Sequence, residues 1–155
     1  MPFGNRHLPS APDVVARMEI EPAFADANLF LRYLTNDVPA QADLVESLLR
    51  RAEQGQVVLV TTGMVLAEIV WILESFYRLP KKDIQEKVLA ILNTGGLEVA
   101  DSDLILQAIG WYAEKNVDFI DAYNAAWMFK NDVGKIYTFD LKHFNRFAGL
   151  SVEAP

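Results

Sequence analysis

Three aspartates fall where a folded chain presents side chains rather than burying them. Asp118 and Asp121 open the run NVDFIDAYNAAWMFK, which reads as an apolar helix, and Asp140 ends a short β-rich run, KIYTFD. Carboxylates delivered from a helix start and a strand end need a partner. Their hard oxygens suit a divalent cation such as Mg²⁺ or Mn²⁺. Each also has a simpler reading. Asp118 and Asp121, spaced i, i+3, can be the N-cap and acidic third residue of a capping box. Asp140 can be a turn residue before Leu141-Lys142.

Two further acids bear on the same chemistry. Asp26 follows a short apolar run and precedes ANLFLRYL, where it can simply cap a helix. Glu68 is the only charged residue in GMVLAEIVWIL, whose apolar residues lie all round the helix, a pattern that predicts packing on several sides. A buried carboxylate needs a cation, and a salt bridge to Arg or Lys serves as well as a metal ion. Other chemistries are poorly supplied. The chain has no cysteine and two histidines, so thiolate metal sites and a Cys nucleophile are excluded. His7 and His143 make no cluster in the sequence, and His143 reads as a surface residue. No GxxxxGK[ST] or GxGxxG run occurs. Trp71, Trp111 and Trp127 lie in helical patterns and read as core.

The elements that must position these acids alternate. Ile20–Ala25 reads as a strand and Asn28–Leu34 as a short helix. Ala40–Gln54 is a helix stopped by Gly55, and Val57–Val60 is a β-branched strand. A helix from Gly63 to about Tyr77, capped by Thr61 or Thr62, is followed by a break at Leu79-Pro80. Asp83–Leu92 is a helix ending at Gly95-Gly96, Leu97–Ala100 a strand, and Asp103–Lys115 a helix. After the acid-bearing helix come strands at Ile136–Thr138 and Leu150–Val152. This alternation predicts an α/β three-layer sandwich with a short, mostly parallel central sheet. Ligands bind such sheets at the carboxyl ends of the strands, and Asp26 and Asp140 both follow predicted strands, so they can share one end of one sheet.

Length and charge set the outer bounds. A chain of 155 residues, 52% of them hydrophobic, predicts one domain with a real core. Residues 1–18 are rich in Pro, Gly and polar groups and read as a flexible leader to a domain spanning 19–155, with Met18 a candidate start. The leader has no apolar core of a secretory signal, and the longest apolar stretch, Val57–Leu73, carries Glu68 and Thr61-Thr62-Gly63. A soluble, cytoplasmic protein is expected. A net charge of −7 argues against broad nucleic-acid binding but not against acids clustered on metal ions beside a local basic groove.

Taken together, DANLFLRYL, the isolated Glu of LAEIVWIL, DFIDAYNAAW and TFDLKHF resemble the PIN-domain ribonucleases, specifically the VapC-type toxins of bacterial toxin–antitoxin modules. The resemblance runs from about Ile20 to Val152. It implies that Asp26, Glu68, Asp121 and Asp140 are the catalytic, metal-binding acids, with Asp118 an auxiliary acid at the rim. It also implies that Asn28 and Thr138 orient the carboxylates. Family members often have Thr where this chain has Ala27. The implied reaction is Mg²⁺- or Mn²⁺-dependent hydrolysis of RNA by an activated water. Arg32, Lys142 and Arg146 are candidate phosphate contacts, and a homodimer and a cognate antitoxin are the implied partners. Two rivals stand beside it. One is a catalytically silent PIN-like binding module. The other is a receiver-like phosphoacceptor domain, disfavoured because Val57–Val60 leads into Thr61-Thr62 rather than Asp.

Overall fold

The computed structural model describes residues 20–155, so the leader and Met18 lie outside the described residues. The strands are β1 (Pro22–Phe24), β2 (Val58–Thr61), β3 (Leu97–Val99), β4 (Lys135–Tyr137) and β5 (Ser151–Glu153). The helices are α1 (Ala27–Thr35), α2 (Pro39–Glu53), α3 (Gly63–Ser75), α4 (Lys81–Leu92), α5 (Ser102–Glu114), α6 (Phe119–Lys130) and α7 (Leu141–Phe144). Every predicted element is present within a few residues. Helix α7 is the exception, having been read as a turn; it is too short to show a period in sequence.

The chain divides into two compact units, one holding the residues up to Val65 with Ala90–Asp101, the other Leu66–Leu89 with Ser102–Pro155. In the first, β1, β2 and β3 form a parallel sheet in that order, with Ala23 opposite Leu59 and Leu59 opposite Leu97. Leu59 is almost wholly buried, as the β-branched run around it requires. Helix α1 packs on α2. Gly55 ends α2 in the left-handed region (φ 78°), with its amide donating to Ala52 O and the Gln56 amide to Arg51 O, the paired bonds of a Schellman stop. Gly96, also left-handed, lies so close to the Ala52 carbonyl that a Cβ there would collide with it. Thr61 belongs to β2, and its hydroxyl donates to Ala25 O at 2.8 Å rather than serving a helix start.

In the second unit β4 and β5 pair in parallel, Ile136 opposite Val152, with a Lys135–Glu153 ion pair of 3.0 Å alongside. Strand pairing is parallel throughout, as expected. The strands nevertheless form a three-stranded and a two-stranded sheet, so β1 and β4, which precede Asp26 and Asp140, are in different sheets. Three-residue strands offer few ladder bonds, and β4 makes its own with β5. The close partner of α6 is helix α5. The buried Ala122, Ala125 and Ala126 permit that approach. Leu104, Ile105, Ala108 and Ile109 of α5 complete this core.

A polar network joins α3, α4 and α5. The Tyr112 hydroxyl donates to Glu74 Oε2 at 2.8 Å, while the Lys81 ammonium sits 3.9 Å from the Tyr112 ring centroid and donates to Val117 O. Burial, then the Glu74 carboxylate, holds the Tyr112 hydroxyl well above the usual tyrosine range. Burial likewise lowers Lys81, against the pull of Glu74 and Asp118.

Candidate metal centre

The acids at the start of α6 are held by their own backbone. Asp118 is the N-cap (φ −61°, ψ 144°), and its Oδ2 accepts from the Ile120 amide at 3.2 Å. That satisfies one of the orphan amides of a helix start and leaves Asp121, three residues on in the first turn, without a capping task. The connection leading into α6 is pinned from two sides. Lys81 Nζ donates to Val117 O at 2.8 Å, and Arg146 Nη1 donates to Lys115 O and Asn116 O.

Asp140 is placed by a second set of local bonds. Its amide donates to Thr138 Oγ1 at 3.0 Å, at the end of β4. Its Oδ1 accepts from the His143 amide at 3.3 Å as the N-cap of α7, and its Oδ2 lies 2.8 Å from His143 Nδ1. Thr138 thus positions Asp140 through the main chain rather than through the carboxylate.

These two segments bring Asp121, Asp140 and His143 together, one ligand atom of each lying within 4.8 Å of the others. All three are half-buried. Burial, followed by the like charges of Asp118 and Asp140, holds the Asp121 carboxyl above the usual aspartate range. The hydrogen bond from His143 holds Asp140 below that range, and the Arg146 charge acts in the same direction. Two neighbouring carboxylates are therefore driven apart in proton affinity.

The donor set fits a divalent ion. Bonds of about 2.1 Å put adjacent ligand atoms about 3 Å apart and opposite ones about 4.2 Å apart in octahedral geometry. The ligand atoms of Asp121, Asp140 and His143, all within 4.8 Å of one another, are near enough for one such ion to draw them together.

The cluster does not include the other expected site residues. Asp26 belongs to the first unit, where it caps α1 and its Oδ1 accepts from Leu29 N at 3.2 Å; Asn28 is exposed in the same turn. Glu68 is outside the cluster, and the expectation that it is buried is overturned. It is exposed on α3 between Met64 (80% exposed) and Trp71 (68% exposed), at positions i, i+4 and i+7 of one outward stripe. Trp71 and Trp127 are likewise not core residues; only Trp111 is partly enclosed, edge-on to Phe129 and Phe147. Arg32 is engaged with Asp37 at 3.1 Å and Gln41 at 2.7 Å, and Arg146 with the two carbonyls, whereas Lys142 is exposed on α7. His143, read as a surface residue, is the group that sequence reasoning missed. Its i, i+3 relation to Asp140 was the available signal. A cleft of about 570 Å³ lined by Asp103, Leu104, Gln107, Trp111, Phe129 and Lys130 contains none of the three clustered residues.

Comparison with known proteins bears on the family. No curated protein matches the sequence. Among solved structures, the VapC20 toxin of Mycobacterium tuberculosis, described as a sarcin–ricin loop cleaving toxin, is 22% identical over 87% of this chain and 100% of its own, at a TM-score of 0.38. The PIN domain profile matches residues 23–150, the greater part of the chain. The chain belongs to the PIN domain family.

Proposed function

We propose that this protein is a metal-dependent endoribonuclease, the toxin of a VapC-type toxin–antitoxin pair. The observation that carries the reading is the convergence of Asp121 and Asp140, from two separate segments, in a chain of the PIN family. Asp121 and Asp140 hold a Mg²⁺ or Mn²⁺ ion. Asp26 and Glu68 join the acid set on the strength of the motif resemblance alone, as acids outside the ion's immediate ligands. Asp118 stands at the rim, where capping α6 is its main task. Asn28 and Thr138 support the acids, Thr138 through the Asp140 main chain.

When bound, the ion activates a water and offsets charge on the scissile phosphodiester. The protein's part is positional. The α6 cap fixes Asp121, the α7 cap fixes Asp140, and exposed Lys142 is the best placed of the basic residues to meet a neighbouring phosphate. Arg32 and Arg146 would have to leave their present partners to do so. Acids alone repel a polyanion, so the ion is needed for substrate binding as well as for chemistry. A second copy of the chain and a small antitoxin inserting a cationic side chain are the proposed protein partners. The proposed compartment is the cytoplasm. No helix among the described residues is long and apolar enough to cross a membrane.

Cleavage of structured and single-stranded RNA, with Mg²⁺ or Mn²⁺, tests the reading. Wild type should cut, Asp121→Asn should not, and excess EDTA should stop the reaction. Equal activity of the two proteins, or activity in EDTA, would overturn it. Asp118→Asn should reduce cleavage less than Asp121→Asn; the reverse order would show that the rim and ligand roles are exchanged.

A further inference from the structure

We propose that His143 is a nitrogen ligand of the same ion, so that the site is a two-carboxylate, one-imidazole centre preferring Mn²⁺ or another borderline first-row ion over Mg²⁺. The inference rests on the reading of Asp121 and Asp140 as a metal site, and it changes what that site selects.

The geometry comes first. Asp140 caps α7 through the His143 amide, which fixes His143 in the turn immediately after the acid and sets its ring beside Oδ2. A His143–Asp140 pair alone would account for that contact. It does not account for Asp121, which arrives from α6 and brings its carboxylate within 4.8 Å of both side chains. The 2.8 Å separation of His143 Nδ1 and Asp140 Oδ2 is also close to that of two adjacent ligands on one small ion. Three protein ligands leave coordination positions open for water and substrate, as a reactive site requires.

Charge and softness then set the selectivity. Two carboxylates and a neutral imidazole balance a dication. Carboxylates and water satisfy Mg²⁺, which keeps several waters and gains little from imidazole. Imidazole favours the later first-row ions, and Mn²⁺ accepts both kinds of donor. A nitrogen at this position therefore raises affinity for Mn²⁺ and later ions while leaving Mg²⁺ nearly unchanged.

The chain has only two histidines, His7 and His143, which makes the test direct. Imidazole ¹⁵N spectra of the full-length protein contain two ring systems, and His7→Gln identifies which is which. Titration with Zn²⁺, a diamagnetic borderline ion, should shift a ring nitrogen of His143 and leave His7 in place. Calorimetry should then show His143→Asn lowering Mn²⁺ affinity by at least about tenfold, with Mg²⁺ affinity nearly constant. A Zn²⁺ titration that leaves the His143 nitrogens unmoved would overturn the proposal in the wild-type protein, whatever the variant does. So would equal loss of Mn²⁺ and Mg²⁺ binding in a folded His143→Asn. RNA cleavage is read separately. A shifted His143 without cleavage supports this inference and counts against the ribonuclease reading. Metal-dependent cleavage with His143 unshifted does the opposite.

Discussion

Asp121 and Glu68 are both carboxylates on predominantly apolar helices of this chain, and the structure treats them in opposite ways. Asp121 lies in the first turn of α6, half-buried, beside a second carboxylate and a histidine. Glu68 lies in the middle of α3, exposed, between two exposed apolar side chains. The difference follows from position within the helix. A first turn is fixed by capping bonds and by whatever grips the connection before it, so its side chains can be aimed at a neighbouring segment. A mid-helix side chain goes where the helix's rotation sends it, and the buried stripe of α3, with Leu66, Ile69, Val70 and Leu73, turns Glu68 outward.

The largest test of this contrast compares Asp121→Asn with Glu68→Gln in RNA cleavage. Asp121→Asn should cost more than about 100-fold, the scale of removing a preorganised electrostatic group, and Glu68→Gln less than about tenfold. Equal losses would place Glu68 on the ion and erase the distinction. Next comes Arg146, which ties the segment carrying Asp140 and His143 to the one leading into Asp121. Arg146→Ala should destabilise the fold by about 2 kcal/mol, read by denaturant titration, and weaken Mn²⁺ binding. Arg146→Lys should recover part of both, having one point charge in place of a fork.

A smaller effect concerns pH. Because the Asp121 carboxyl is held above the usual aspartate range, the folded protein takes up its proton more readily than the unfolded chain. The stability this contributes is complete below the ordinary aspartate pKa and is lost as pH rises through the elevated value. At about pH 7 and without metal, the ionised carboxylate works against folding. Asp121→Asn should therefore raise Tm slightly there, and the gain should vanish near pH 3. A variant destabilised at neutral pH would show that the carboxylate is already balanced by a cation of the protein. Smallest of all, Met64→Gln and Trp71→Gln should change stability by less than about 0.5 kcal/mol, the range for exposed positions. A larger loss would mean that the α3 stripe is covered in solution.

What could be read from sequence was whatever has a local cause. The Gly55 stop, the β-branched run of β2 and the capping role of Asp118 each depend on residues within one turn or strand, and the structure contains all three. The motif resemblance led to the PIN family, which the profile match establishes. The orientation of α3 was not local: a helix that is apolar all round does not declare which stripe faces out. The division of the strands into two sheets depends on pairing partners far apart in the chain. His143 was overlooked for a third reason. A four-residue helix leaves no periodic trace, so the i, i+3 relation that turns the imidazole toward Asp140 was hidden inside what read as a turn.

The connection between α5 and α6 has a consequence for anyone who wishes to label or permute this protein. Lys115 to Asp118 is a short link between two helices, a place where a tag or new termini would ordinarily be tried. Three successive carbonyls of that link, those of Lys115, Asn116 and Val117, are occupied by Arg146 and Lys81. One inserted residue would shift those acceptors out of register with donors fixed elsewhere in the unit. Tolerance to insertion is set by such backbone bonds and not by a loop's length or exposure. This link is the wrong place to cut.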